Sequence, residues 1–346
     1  MIQEPRNILI IKPSSLGDIV LALPALSAMR RNFPKARISW LIRPEFAPLI
    51  EGNPNLTEII PFDRVLYGKA WYSPAAMAQL WAFIRRLRQE RFDTVVDLQG
   101  LFRTAGLGWL SGAVRRFGMA NAREFGAIFY TDKVRQDEEC IHLVDYYLKI
   151  IREMGATDVK VEFVLPRVKE AAGAIKGILA QHNVPLDGYA VFVPGSAHRG
   201  KCWPRERFAK LAEEIVKRFG LAIVACGTAG ERDIVKELKN IARTPITDLA
   251  GKTSLKELVE LLRGARLVVS NDTGPGHIAA ALGVPLVMMF GWSNPTRVMP
   301  YGRPECVAAR EPDGRGAGIK STDPRHDVST ITVDEVFAKV CEQIGK

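Results

Sequence analysis

The sequence predicts an α/β fold made of two units, each built on a parallel sheet. Three observations predict it. Apolar, β-branched-rich runs alternate with helical periodicity along the chain. The alternation starts at Asn7 and restarts at Tyr189, with a boundary near Pro166–Asp187. The length, 346 residues, exceeds the usual single-domain range, while 47% hydrophobic and 25% charged residues leave ample core for both units.

In the first unit the predicted strands are Ile8–Ile11, Ile38–Ile42, Glu58–Pro61 and Thr94–Asp97. Helices are expected over Ile19–Asn32, Ala75–Arg88, Leu101–Leu110 and His142–Met154, the last ended by Gly155. In the second unit, YAVFVPGS (Tyr189–Ser196) reads as a strand running into a phosphate-type turn. Helix Arg205–Phe219, strand Leu221–Cys226 and helix Glu231–Ala242 follow, then a helix capped by Ser254 and strand Leu267–Ser270. Helix Pro275–Leu282 and strand Leu286–Phe290 complete the core. Arg310–Asp327, rich in Gly, Pro and charge, reads as a mobile surface loop, and a last helix is expected over Val333–Ile344. Ligands are expected at the carboxyl ends of the strands.

The bulk numbers exclude several classes. The formal charge is +10, spread over both halves without a basic arm, so small anions or an anionic membrane surface suit it better than nucleic acid. Five scattered cysteines form no CxxC pair, which fits a reducing cytoplasm and offers no zinc site. No apolar run reaches the roughly 18 residues of a membrane span, and the N-terminus lacks a secretory pattern. P-loop, HExxH and GxSxG motifs are absent.

Four stretches carry candidate chemistry. In KPSSLGD, between the first strand and first helix, Ser14 or Ser15 can cap the helix and Asp18 suits its positive end; capping alone accounts for these residues as well as chemistry does. VVSNDTGPGHIAAALGVPLVMMFG puts Asp272, Thr273, Gly274, Gly276 and His277 where a buried strand meets a helix N-terminus, a ready site for a diphosphate. A plain βα turn would not need all five. PGSAHRGKCWPRERF offers Ser196 and Lys201, the latter able to neutralise a leaving phosphate or to be an ordinary loop lysine. ACGTAGERDI opens a helix with Glu231, which suits either ribose hydroxyls or the helix dipole. In the first unit, Gln99 and Arg103 of DLQGLFRTAGL are expected at one ligand edge, with Arg123 beyond; Arg115 and Arg116 read as surface arginines.

Together, IIKPSSLGDIVLALPAL, KCWPRERF, GTAGER, LAGKTSL and NDTGPGHIAAALGVPLVMMFGWSNPTRVMPYG resemble the bacterial heptosyltransferases of glycosyltransferase family nine, in order and over nearly the whole chain. VVDLQGLFRTAGL and NARE look most like the heptosyltransferase I branch, whereas Cys202 and Gly276 depart from its usual residues. The resemblance implies a GT-B fold of two Rossmann-like domains facing a cleft. Residues 1–166 would bind the acceptor and 187–325 the nucleotide sugar, and 326–346 would form a helix packing back on the N-terminal domain. It implies ADP-heptose as donor and Kdo-lipid A as acceptor, in an inverting reaction without metal or cofactor. The enzyme would be cytoplasmic, peripheral on the inner membrane of a Gram-negative bacterium. Asp18 matches the catalytic base. Lys201 would meet the diphosphate, Glu231 the ribose, and Asp272 to Gly274 with Gly276 and His277 the phosphates and sugar. Ser15, Gly17 and Ser196 would also serve the donor, and Gln99, Arg103 and Arg123 the acceptor. Two alternatives stay open: a family-nine transferase with another sugar or acceptor position, and a non-catalytic nucleotide-sugar-binding protein.

Overall fold

The computed structural model describes residues 4–137, 140–313, 315–316 and 318–345. The extreme ends of the expected 1–166 and 326–346 segments, and residues 314 and 317 of the expected surface loop, lie outside them. The chain divides into Met1–Pro166 and Arg167–Lys346.

The first unit runs β1 (Asn7–Ile11), α1 (Leu16–Asn32), β2 (Arg37–Ile42), β3 (Glu58–Pro61), α2 (Arg64–Tyr67), α3 (Pro74–Gln89), β4 (Thr94–Asp97), α4 (Phe102–Leu110), β5 (Arg115–Met119), β6 (Asp132–Val134) and α5 (Leu143–Glu153). Its six strands are parallel in the order β3-β2-β1-β4-β5-β6. Alternation along β1 divides the core. Leu9 and Ile11 join Phe83, Ile84 and Leu107 under α3 and α4. α1 pairs with α5. Strand order reverses between β1 and β4, where Ile11 lies beside Asp97. Such a switch point opens a crevice at the strand ends, and it brings the turn before α1 next to the turn after β4.

β5 and β6 were not expected. Both carry charges; β6, three residues long, forms the edge of the sheet and β5 lies next to it. Arg115 pairs with Asp132 across them at 2.8 Å, and Arg116 donates to the carbonyls of Phe129 and Ala113, so these two arginines hold the edge together.

The second unit runs α6 (Lys169–Gln181), β7 (Tyr189–Val193), α7 (Arg205–Phe219), β8 (Ala222–Ala225), α8 (Arg232–Ile241), β9 (Ile246–Asp248), α9 (Leu255–Arg263), β10 (Leu267–Asn271), α10 (Gly274–Ala281), β11 (Leu286–Phe290), α11 (Pro295–Val298), β12 (Val307–Ala309) and α12 (Val333–Ile344). The sheet order, β12-β11-β10-β7-β8-β9, repeats the first topology. Val193 of β7 sits beside Ser270 of β10, so this switch point brings the Pro194 and Asn271 turns together. The boundary stretch is not a bare linker, since α6 packs on α9.

Two expectations need correction. The C-terminal helix belongs to the second unit: Val333, Val336 and Val340 of α12 are buried in the same core as Phe208, Leu211 and Trp203. Three valines on one helical stripe already match the apolar face of α7, which draws the helix there. Arg310–Asp327 is also tied down rather than loose. Arg315 donates to the carbonyls of Gly291 and Ser293, Asn294 donates to those of Gly316 and Gly318, and Ser293 bridges Lys320.

Candidate active site

The first unit presents a carboxylate. Asp18 stands at the third position of α1, and its Oδ2 accepts from the Ser15 N–H (3.3 Å) and the Ser15 hydroxyl (3.1 Å). It therefore caps the helix, as the bland reading holds. It does more than cap, because the Lys12 ammonium approaches Oδ2 to 3.6 Å from below. Lys12 is almost fully buried, while the Asp18 side chain is about a third exposed. The Lys12 ammonium also lies over the Tyr147 ring of α5, 5.7 Å from its centroid. Burial alone would lower the Lys12 pKa, yet Asp18, then Tyr147 and Asp97, hold it above its ordinary value.

Asp97, at the end of β4, is fully buried, and burial raises its pKa. It accepts from the N–H groups of Gln99 and Gly100 and from the Tyr130 hydroxyl at 2.8 Å. Its work is to set the turn that follows β4. The Arg123 N–H reaches back to the Gly100 carbonyl at 2.9 Å, placing Arg123 beside that turn. Gln99 stands on the turn after β4 and Arg103 at the second position of α4. Gln99 Oε1 is buried without a hydrogen-bond partner among the described residues. Arg103 is exposed on α4, where it lines a groove with Arg64 and Glu124.

The second unit presents a cation. Lys201 Nζ lies 2.5 Å from Asp272 Oδ2, and His277 Nε2 lies 3.3 Å from Asp272 Oδ1. Here the carboxylate is the buried member, at 5% exposure, and Lys201 the exposed one, at 21%. Burial would push the Asp272 carboxyl up, but the His277 contact and the Lys201 charge hold it well below the usual carboxylate range. Lys201 also stands 5.6 Å from the Trp292 ring centroid. Beside this cluster Thr273 precedes α10, whose first N–H groups lack intrahelical acceptors and suit an anion. The Thr273 hydroxyl is 3.2 Å from that of Ser270.

Gly276 also has a packing role. A Cβ there would come within 2.8 Å of the Ser270 hydroxyl and 3.1 Å of Met288, so glycine lets α10 sit tightly on its own sheet.

Ser196 and Glu231 line a separate cavity of about 750 Å³ with Trp203 and Arg205, large enough for a nucleoside. Glu231 Oε2 accepts from the Thr228 N–H (2.7 Å) and hydroxyl (2.9 Å). Its carboxylate fills the space where a side chain at Gly195 would stand, which explains that glycine. Asn271 joins cavity and cluster: its Nδ2 donates to the Pro194 carbonyl at 2.8 Å, and its Oδ1 accepts from the Trp203 N–H at 3.0 Å.

Sequence reasoning missed Lys12, Tyr147 and Asn271. Asn271 had a local signal, a polar residue ending an apolar strand. Lys12 had only its place at the end of β1, and its meaning depends on α5. Among the described residues no three His, Cys, Asp or Glu side chains gather as a metal site.

Two parallel α/β units of this topology share the GT-B fold of solved heptosyltransferase structures, which places the chain among the glycosyltransferases. Residues 80–317 match the model of glycosyltransferase family 9 (heptosyltransferase), and the chain belongs to that family. It is 30% identical to lipopolysaccharide heptosyltransferase 1 of Pseudomonas aeruginosa over 306 residues, 86% of this chain and 82% of that one. The structure of E. coli heptosyltransferase WaaC with ADP-2-deoxy-2-fluoro heptose superposes with a TM-score of 0.75 at 26% identity, covering 97% of this chain and 99% of that one. A family 9 glycosyltransferase from Veillonella parvula shares the fold, with a TM-score of 0.83 at 24% identity over 99% and 98% of the two chains.

Proposed function

We propose that this chain moves a heptose from ADP-L-glycero-D-manno-heptose onto the Kdo-lipid A inner core of lipopolysaccharide, with inversion. The observation that carries the reading is the Lys201–Asp272–His277 cluster at the N-terminus of α10. A cation fixed by a buried carboxylate beside unsatisfied N–H groups suits a diphosphate whose charge grows as it leaves. Glu231 and Ser196, in the adjoining cavity, would take the nucleoside part. Asp18, partly exposed and held by Lys12 and Ser15, would accept the proton of the acceptor hydroxyl. The hydroxyl oxygen then bonds to the anomeric carbon as the bond from that carbon to ADP oxygen breaks. ADP departs with the electron pair, and the proton stays on Asp18. Gln99, Arg103 and Arg123 would hold the acceptor, with Ser15 and Gly17 near the transferred sugar.

The reaction in this reading needs neither metal nor cofactor, since Lys201 and the helix N-terminus meet the diphosphate charge. The lipid-linked acceptor places the enzyme on the cytoplasmic face of the inner membrane of a Gram-negative bacterium. Incubation with ADP-heptose and Kdo-lipid A, read by mass spectrometry, should show a gain of one heptose. No gain with this pair, but a gain with another nucleotide sugar or a longer core, would replace the reading with a different family-nine transfer.

A further inference from the structure

We infer that the outer face of α2, α3, α4 and the Arg123–Phe129 turn is a docking surface for an anionic lipid bilayer. Among the described residues, thirteen large hydrophobic side chains are exposed, and ten of them fall between Val65 and Ile128. Trp71 and Phe125 are more than four-fifths exposed. The residues are contiguous through packed elements: α2 meets α3, α3 meets α4, and α4 meets the Arg123–Phe129 turn. Trp71 and Tyr72 stack edge to face at 4.8 Å, and Phe102 meets Phe129 at 5.1 Å. A groove of about 440 Å³ opens on this face, lined by Tyr67, Leu80, Ile84, Phe102 and Leu110 with Arg64 and Arg103.

α3 shows the design most clearly. Ala76, Phe83, Ile84 and Leu87 are buried against the sheet. The opposite stripe, Met77, Trp81, Arg85 and Arg88, is exposed and carries apolar bulk in its first half and positive charge in its second. Residues 61–130 hold ten Lys and Arg against five Asp and Glu, half the net charge of the whole chain. Amphipathic rings and arginines interleaved on one surface suit the headgroup level, where an apolar phase meets anionic phosphates. A second copy fits less well, because an isologous contact would set this positive face against itself.

The inference deepens the reading above, since an acceptor anchored in lipid is reached from a seat on the same lipid. Its test needs neither donor nor acceptor. The full chain should float with phosphatidylglycerol-containing vesicles, float weakly with pure phosphatidylcholine, and lose binding as salt rises. The double variant Trp71→Ala, Trp81→Ala and the single variant Arg85→Glu should each reduce partitioning at least tenfold. Both should keep wild-type circular dichroism and wild-type turnover on a delipidated, water-soluble acceptor. Brominated lipids should quench tryptophan fluorescence in the wild type and less in the double variant. Equal partitioning of wild type and variants would overturn the proposal, as would failure to bind anionic vesicles. A concentration-dependent dimer that the double variant abolishes would assign the face to a second copy instead. Vesicle binding that persists when no sugar transfer is found would leave this surface standing and remove only the transferase reading.

Discussion

The two units share one sheet topology and solve the same electrostatic problem with opposite signs. In the first, a buried lysine, Lys12, holds a partly exposed carboxylate, Asp18. In the second, a buried carboxylate, Asp272, holds a partly exposed lysine, Lys201. Each pair stands at a switch point, where β1 meets β4 or β7 meets β10. In each pair the buried member, held in the packed interior, fixes the place of the member that meets solvent. One unit thereby presents a carboxylate and the other a cation, the roles that the proposed transfer gives them.

The largest expected effect breaks the first pair. Asp18→Ala should lower turnover by roughly two to four orders of magnitude, the usual scale for losing a general base. ADP affinity, measured by calorimetry, should hardly move. Near-normal turnover would reduce Asp18 to its capping role. Lys201→Ala should come next, with a loss of about 2–4 kcal/mol of transition-state stabilisation, comparable to removing one oxyanion donor. Steady-state kinetics should show donor KM rising and kcat falling together, because the contact exists in the ground state and strengthens as charge develops.

Smaller effects test the buried members, and here the opposite signs predict opposite pH windows. Asp272 has its pKa depressed by folding, so its contribution to stability is present above the unfolded value of about 3.9 and is lost as pH falls through the folded value. Asp272→Asn should cost about 1–3 kcal/mol at pH 7, since His277 and Lys201 lose a charged partner. In urea titrations that gap should narrow below about pH 4. Lys12 has its pKa raised, so its contribution is complete below the unfolded value of about 10.4 and fades as pH rises through the folded value. The gap between wild type and Lys12→Met should hold at neutral pH and close only in alkali. A gap that closes in acid for both variants would dissolve the mirror relation. The smallest effect is none: EDTA should leave turnover unchanged, and a loss restored by magnesium would assign the diphosphate charge to a metal.

What the sequence revealed and what it hid follow the reach of each interaction. The DTGPGH turn was legible because Asp272, Thr273 and His277 lie within six residues of each other, so their grouping is built into the chain. Lys12 was hidden because only the fold brings Tyr147 of α5 over it; in the sequence it simply interrupts an apolar run. The central strands stood out as apolar runs, whereas β6, β9 and β12 are three-residue strands at sheet edges and β5, next to an edge, opens with two arginines. α12 was visible as a helix, but its partner was not. Amphipathic spacing announces a buried face without naming the surface that covers it. The packing of Gly276 against Met288 and Ser270 is a matter of three-dimensional neighbours that the sequence does not show.

The single side chain of Asn271 has a consequence for how this chain can diversify. It grips the Pro194 carbonyl and the Trp203 N–H, the two ends of one loop, from a fully buried position. A loop clamped at both ends holds its path while its exposed middle residues change, apart from Gly195 and Gly200, where a Cβ would strike Glu231 and Trp292. Ala197 and Arg199 are exposed on that loop and line the nucleoside-sized cavity, so they can be exchanged at little cost to folding. A library randomised at those two positions should yield mostly folded members with altered nucleotide preference, whereas one randomised at Asn271 should yield few. Lineages of this enzyme would then explore new donors by changing the span while leaving the clamp untouched.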